Sequence, residues 1–160
     1  MRCISKFLII GLTASLLLAA CSSSSSVSLP SIAKSTEEIT NSYVTLFNGN
    51  SPNLQEKVNS IQNGAPLEKT LAHFLGSPIA KGTHAKVIMV HVLSAVNCKT
   101  NLEPYPCAII DYELLTATNS ILLPAATGFA VWWHNRWVVA KTTICSLLAL
   151  ENGGHAPSGC

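Results

Sequence analysis

The amino-acid sequence predicts an α+β domain in which short N-terminal helices pack on an antiparallel sheet of about four strands, followed by a short C-terminal helix. Helical spacing of apolar residues is confined to residues 35–75 and to the last stretch before the C-terminal tail. Segments rich in valine, isoleucine and aromatic residues fill residues 84–141 instead. Helices that precede a run of strands are typical of the α+β class.

Three helices are predicted in the first half of the domain. Ser35 and Glu38 form a capping-box pattern, which predicts the start of the first helix, and an asparagine, glycine and proline motif after Phe47 ends it. A second helix is predicted over residues 54–62. The third begins near Pro66, a residue that suits the first turn of a helix.

Four strands and a final helix are predicted in the second half. The strands cover residues 84–96, 108–118, 122–133 and 137–141, and the first of them is expected to be long and largely buried. His134 and Asn135 are predicted to form a two-residue turn, since asparagine tolerates positive φ. Thr142 or Thr143 is expected to cap the last helix, which runs to Leu150.

The first 20 residues predict a secretory signal peptide, because Arg2 and Lys6 precede a short apolar core over residues 7–18 and small residues follow it. Residues 18–21, Leu-Ala-Ala-Cys, resemble the lipobox of bacterial lipoproteins. This resemblance implies that diacylglycerol is attached to the sulfur of Cys21 and that the chain is cut before it. The alternative is a plain signal peptide in which the cysteine occurs by chance.

Residues 21–34 predict a serine-rich tether, which places the single folded domain at residues 35–160. Without Arg2 and Lys6, the chain carries equal numbers of basic and acidic residues. This balance disfavours nucleic acid as a partner. We therefore expect lipid on Cys21, rather than surface charge, to hold the protein at the extracytoplasmic side of a cell membrane, or at the outer membrane in a Gram-negative cell.

Six cysteines are present in the chain, and four of them belong to the predicted domain: Cys98, Cys107, Cys145 and Cys160. An even number of cysteines in an exported domain predicts disulfides. Three pairings are possible, and local geometry favours Cys98 with Cys107 and Cys145 with Cys160. The spacings do not suit a zinc site, so neither a metal nor another cofactor is expected.

Two groups of side chains are candidates for chemistry or binding. Asp111 and Glu113 would share one face of a strand and could act as an acid–base pair, although a solvated face explains the same spacing. Trp132, Trp133 and Trp137 surround the predicted hairpin, and an exposed tryptophan would be a candidate contact for a ligand or partner. Core packing explains the tryptophans equally well. No nucleophile elbow, phosphate loop or dinucleotide motif is present, so no catalytic residue is assigned.

Several short segments together resemble the actinobacterial low-molecular-weight secreted antigen family and its lipoprotein relatives. They are residues 46–54, Lys57, and residues 62–64, 108–112, 128–131 and 137–145. The resemblance covers about residues 36–150. It implies a cone-shaped fold similar to that of nuclear transport factors, with helices over a curved sheet, and it implies no catalytic residues. The turn at residues 134–136 departs from the glycine-containing turn of that family, and its members do not generally share the region of Cys98 and Cys107.

Three functional hypotheses follow. The first is a membrane-anchored envelope lipoprotein with a non-enzymatic binding or structural role, acting on an envelope protein. The second is a carrier or sensor of an apolar ligand, because 48% of the residues are apolar, only 11% are charged, and cone-shaped folds often enclose a pocket. The third is a hydrolase or isomerase, which only Asp111 and Glu113 support.

Replacing Cys21 with serine should abolish lipid attachment, because the thiol is the acceptor of the lipid. Metabolic labelling with radioactive palmitate, followed by membrane fractionation, measures this directly. The matched variant Cys3→Ser, within the predicted leader, should be labelled like the wild type. Label on Cys21→Ser equal to that on the wild type would rule out the anchor.

Overall fold

One sheet of four antiparallel strands forms the centre of the domain, and the order of the strands follows the chain. The computed structural model describes residues 28–77, 80–93 and 106–160. The strands are β1 His84–Leu93, β2 Cys107–Leu115, β3 Ile121–Trp133 and β4 Arg136–Val139. The helices are α1 Ile32–Phe47, α2 Leu54–Asn59, α3 Glu68–Leu75 and α4 Lys141–Glu151. The sheet curls into a half-barrel, and the predicted α+β class is confirmed.

The first helix begins earlier than predicted. Its N-cap is Ser31, whose hydroxyl accepts a hydrogen bond from the backbone N–H of Lys34. Ser35, the predicted cap, lies one turn inside the helix and is buried, and its own N–H already donates to the Ser31 carbonyl. Glu38 therefore cannot complete a capping box, and it lies 3.8 Å from the Lys34 ammonium instead. The helix thus starts within the segment that was predicted to be tether.

The second helix is shorter than predicted because the chain after it joins the sheet. It covers Leu54–Asn59 rather than residues 54–62. Ile61 forms a parallel bridge with Val139, and two backbone hydrogen bonds of 2.9 and 2.8 Å hold this segment against β4. The bridge covers backbone groups of β4 that an edge strand would leave unpaired. Pro66 lies in a 3₁₀ turn that leads into α3, close to the predicted start.

The prediction that β1 is largely buried was wrong. Among its described residues only Ala85 is fully buried, while Ile88 and Met89 are each about half exposed. A β-bulge between Val87 and Met89 shifts the alternation of faces by one residue. The valine and isoleucine content of residues 84–93 therefore reflects strand preference, with helix packing on one face only.

The turn between β3 and β4 forms as predicted, with φ values of 48° and 60° at His134 and Asn135. β4 ends at Val139, before the predicted boundary, because α4 already begins two residues later. Neither threonine caps that helix. Its N-cap is Ala140, which makes no side-chain hydrogen bond, and the hydroxyl of Thr143 contacts β3 instead.

The inward face of α1 supplies an aromatic centre to the core. Ile39, Tyr43 and Phe47 recur at helical spacing and are buried, as predicted. The Tyr43 ring meets Tyr112 of β2 edge to face at 5.1 Å, and Phe47 stacks on Tyr112 at 5.8 Å. Burial raises the pKa of Tyr112 to about 12, so its hydroxyl stays protonated.

Two helices meet β3 at Gly128 and Phe129. The hydroxyl of Tyr43 in α1 donates to the Phe129 carbonyl at 3.1 Å, and the Phe129 N–H donates to the hydroxyl of Thr143 in α4 at 2.8 Å. A Cβ atom at Gly128 would collide with the Tyr43 hydroxyl and would lie 2.8 Å from the Thr143 methyl group. The close approach of α1 and α4 to the sheet therefore requires glycine at this position.

Gly128→Ala should lower the free energy of unfolding by about 2 kcal/mol, because the added methyl group forces α1 and α4 away from the sheet. Chemical denaturation followed by circular dichroism measures the loss. The matched control is Gly76→Ala, where the nearest atom to a new Cβ is a carbonyl oxygen at 3.3 Å. That variant should stay within about 0.5 kcal/mol of the wild type. Equal losses in the two variants would show that Gly128 is not a contact point.

Candidate functional site

An apolar cavity of about 190 Å³ lies between the sheet, the end of α1 and the helices α3 and α4. Its apolar side chains come from all four elements: Leu46, Phe47, Leu71, Phe74, Leu75, Ala80, Leu114, Leu122, Leu123, Ile144, Leu147, Leu148 and Leu150. A cavity of about 150 Å³ is large enough to bind benzene, whereas pockets for drug-sized molecules start at about 300 Å³. The space therefore suits one slender apolar group.

A buried lysine lines this cavity from α2. Lys57 is only 1% exposed, and its ammonium donates to the carbonyl oxygens of Thr45 at 3.2 Å, Leu46 at 3.2 Å and Asn48 at 2.6 Å. These carbonyls lie at the C-terminal end of α1, where the Asn48 N–H also donates to the Thr45 carbonyl and the Ser51 N–H to the Asn48 carbonyl. All three N–H bonds of Lys57 are thus used, and its positive charge lies at the negative end of the helix dipole.

The role of Lys57 was missed in the sequence, although the residue was noted as part of the family pattern. One signal for this role is present in the sequence. Lys57 lies on the same helix face as the apolar residues Leu54 and Val58, so its side chain is directed towards the core. Burial lowers the pKa of the Lys57 ammonium, while the neighbouring Glu56 carboxylate raises it. The lysine serves the end of α1 and leaves no donor for a ligand.

The cavity reaches the surface at α4 and β3. Leu150 is 71% exposed and Leu122 is 43% exposed, and the exposed Glu151 also lines this side. Partial burial raises the pKa of the Glu151 carboxyl, and the charge of His73 opposes that shift. The opening is therefore an apolar rim with one acidic group.

A disulfide fixes the C-terminal tail beside the cavity. Cys145 of α4 and Cys160 form one of the two predicted pairs, with Cα atoms 5.6 Å apart. Near the disulfide, the Thr70 hydroxyl of α3 donates to the Ser158 carbonyl at 3.3 Å. The tail thus connects α4 to α3, and both helices line the cavity.

Of the other predicted cysteine sites, Cys107 lies within the described residues, whereas Cys98 and Cys21 do not. Cys107 is buried at the start of β2. Its predicted partner, Cys98, lies outside the described residues, so that pairing stays a prediction. Cys21, the predicted lipid site, lies outside them as well.

The three tryptophans do not share one face of the sheet. Trp132 and Trp133 are adjacent in β3 and therefore point to opposite faces. Trp132 and Trp137 are a cross-strand pair in the core, with rings 5.7 Å apart and at most 8% exposure. Trp133 points to the opposite face, where it is half-buried against the His134 ring. Packing therefore accounts for Trp132 and Trp137, and only Trp133 reaches the surface.

The two candidate carboxylates lie on the outer face of the sheet, away from the cavity. Glu113 pairs with the Lys86 ammonium at 3.2 Å, and Asp111 accepts a hydrogen bond from the Thr127 hydroxyl at 3.0 Å. Their neighbours in β2 point inward, as the solvated-face interpretation predicts. Within the described residues, no group of three or more metal-ligating side chains comes together.

A model of the family described as low molecular weight antigen MTB12, C-terminal domain, matches residues 32–155. The chain belongs to this antigen family. The predicted resemblance is therefore confirmed, and it extends four residues further towards the N-terminus. No curated protein and no solved structure matches the chain significantly. The likeness to nuclear transport factors consequently stays a prediction.

The segments on which the predicted resemblance rests have structural roles in this domain. Residues 46–54 include the end of α1 that Lys57 caps, and residues 128–131 include the point at which α1 and α4 meet β3. Residues 137–145 carry the chain from β4 into α4. No helix in the described part of the chain is long and apolar enough to span a membrane.

Lys57→Met should lower the free energy of unfolding by about 3 kcal/mol, because three carbonyls lose their charged donor in a buried site. Thermal and urea denaturation measure the loss. The control is Lys69→Met on α3, where the lysine is exposed and the change should stay within about 0.5 kcal/mol. If both variants were equally stable, the buried lysine would not hold α1.

Proposed function

We propose that this chain is a non-enzymatic envelope protein that is held at the extracytoplasmic side of a membrane by lipid on Cys21 and binds an apolar ligand in the cavity of its domain. The observation that carries the proposal is an apolar cavity with an exposed apolar rim. Membership of the antigen family supports a location outside the cytoplasm. The order of charge, apolar core and cysteine in residues 1–21 supports the anchor.

The chemistry of the wall favours an apolar ligand over a polar one. Lys57 has no donor left, since all three of its N–H bonds are made within the protein. A polar ligand would lose its hydration in this cavity without gaining matching hydrogen bonds. An apolar chain would instead bury its own surface and that of leucines such as Leu71 and Leu148.

The size of the cavity also indicates an occupant. An apolar ligand that filled this space would stabilise the domain, because the lining side chains would gain contacts that they lack when it is empty. Water does not compensate in an apolar cavity, since it lacks hydrogen-bond partners there. The disulfide from Cys145 to Cys160 connects α4 to the tail that contacts α3, which limits how far these two lining helices can separate.

The exposed surface of β1 favours a second candidate function, binding of an envelope protein. Ile88 and Met89 are adjacent at the bulge and both are about half exposed. Neighbouring apolar side chains on a sheet surface suit a protein contact. A double Lys substitution at these two residues should abolish a partner that crosslinks to the wild type while ligand binding is retained.

A hydrolase or isomerase gains no support from the geometry. Asp111 and Glu113 have partners on the outer face of the sheet, and neither lines the cavity. An acid–base pair would need a substrate cleft beside both carboxylates.

Leu147→Trp should abolish ligand binding, because the larger side chain projects from α4 into the cavity. The measurement is native mass spectrometry of the purified protein, together with a titration of the neutral fluorophore 1-aminoanthracene. The wild type should carry an apolar adduct or bind the fluorophore, and Leu147→Trp should lose at least tenfold in affinity.

The matched control for this experiment is Leu147→Met, which conserves volume and should bind like the wild type. Circular dichroism establishes that both variants are folded. Absence of both an adduct and fluorophore binding in the wild type and in Cys21→Ser would disprove the ligand-binding function.

A further inference from the structure

The cavity is asymmetric in charge. Two charged side chains line it, Lys57 and Glu151. The lysine is neutralised by three carbonyl oxygens at the end of α1, with distances of 2.6 to 3.2 Å. Glu151 forms no ion pair within 4 Å among the described residues, and it lies at the exposed rim. A ligand that enters the cavity therefore meets at the rim one carboxylate that has no ion-pair partner within 4 Å among the described residues, with His73 as its charged neighbour further away.

The volume limits how much of a ligand can enter. Since about 150 Å³ holds the six carbons of benzene, about 190 Å³ holds roughly eight non-hydrogen atoms in a row. The exposed side chains of Leu122 and Leu150 extend the apolar surface outward from the opening. A longer chain would continue across these two leucines. The volume and the apolar rim together thus admit the end of one hydrocarbon chain.

We propose that the cavity binds a single acyl chain of about eight carbons, and that Glu151, at the rim where the head group of such a chain lies, selects uncharged acyl esters over free fatty acids. This selectivity rests on the proposed ligand-binding function and specifies its ligand. A carboxylate head group would lie against the Glu151 carboxylate, and two like charges at a partly desolvated rim repel each other. An ester or a glycerol head group avoids that repulsion and can accept or donate hydrogen bonds in water at the opening.

Two sources could supply such a chain: a free lipid of the envelope, or the acyl chains that we propose on Cys21 of the same molecule. In both sources the acyl chain is attached through an uncharged ester or amide, so the Glu151 carboxylate would not repel it. The two are distinguished by comparing the purified wild type with Cys21→Ser. A cavity filled by its own anchor would bind added ester only in the Cys21→Ser protein, whereas a cavity open to free lipid would bind it in both.

The test is isothermal titration calorimetry at pH 7.5 with 1-octanoylglycerol and with octanoate, two ligands that share one acyl chain. We expect the glycerol ester to bind about tenfold more tightly than the carboxylate. Glu151→Gln should reduce this ratio to about threefold or less by improving the binding of octanoate. Glu37→Gln, at an exposed acid on α1 that does not line the cavity, should keep the wild-type ratio.

The outcomes distinguish the proposed selectivity of Glu151 from the proposed binding of an apolar ligand. Equal binding of the ester and the carboxylate to the wild type, or an unchanged ratio in Glu151→Gln, would overturn the selectivity while the apolar-ligand function stands. Binding of neither ligand to the wild type or to Cys21→Ser would overturn both. A ratio that falls in Glu151→Gln and stays in Glu37→Gln would establish Glu151 as the specificity-determining residue.

Discussion

The end of α1 depends on one buried charge. The Lys57 ammonium donates to three carbonyl oxygens at the C-terminal end of α1, and this contact holds α2 against α1. Because Leu46 and Phe47 lie on the same last turn and line the cavity, the position of the lysine also sets one wall of the site. Because the Lys57 ammonium donates only to backbone carbonyls, it offers no hydrogen bond to the cavity, whose lining is otherwise mainly apolar.

The part of the cavity wall that α4 provides depends on a disulfide rather than on a buried charge. α4 is placed on the sheet by the hydrogen bonds between Thr143 and Phe129, and the disulfide then ties it to a tail that contacts α3. Side chains from both α3 and α4 line the cavity. An exported protein can use such a disulfide because it is stable in an oxidising environment. The export predicted from residues 1–21 is consistent with this construction.

Much of the fold could be predicted from sequence because its signals are local. The apolar spacing in α1, the turn at His134 and Asn135, and the alternation that puts Tyr112 inward each depend on a few neighbouring residues. The errors arose where distant contacts decide. Ser31 and Ser35 offer equivalent caps until packing buries one of them, and the exposure of Ile88 depends on which face of β1 is covered.

The candidate site was harder to predict than the fold, since its residues are spread from α1 to α4 and each is an ordinary apolar residue. Leu71, Leu123 and Leu148 look alike in sequence whether they fill a core or line a cavity. Lys57 was visible as an oddity on an apolar helix face, but its partners are backbone carbonyls, which no side-chain motif reveals. The polar candidates, Asp111 and Glu113, lie on the outer face of the sheet and do not line the cavity.

The most direct test of the account is an isotope-filtered nuclear Overhauser experiment on the methyl-labelled protein with bound 1-octanoylglycerol. We predict contacts from the terminal methyl group of the acyl chain to the methyl groups of Leu71, Ile144 and Leu148, which line the cavity and are nearly fully buried. Contacts confined to the exposed Leu122 and Leu150 would contradict the account, because the chain would then lie on the surface and not within the domain.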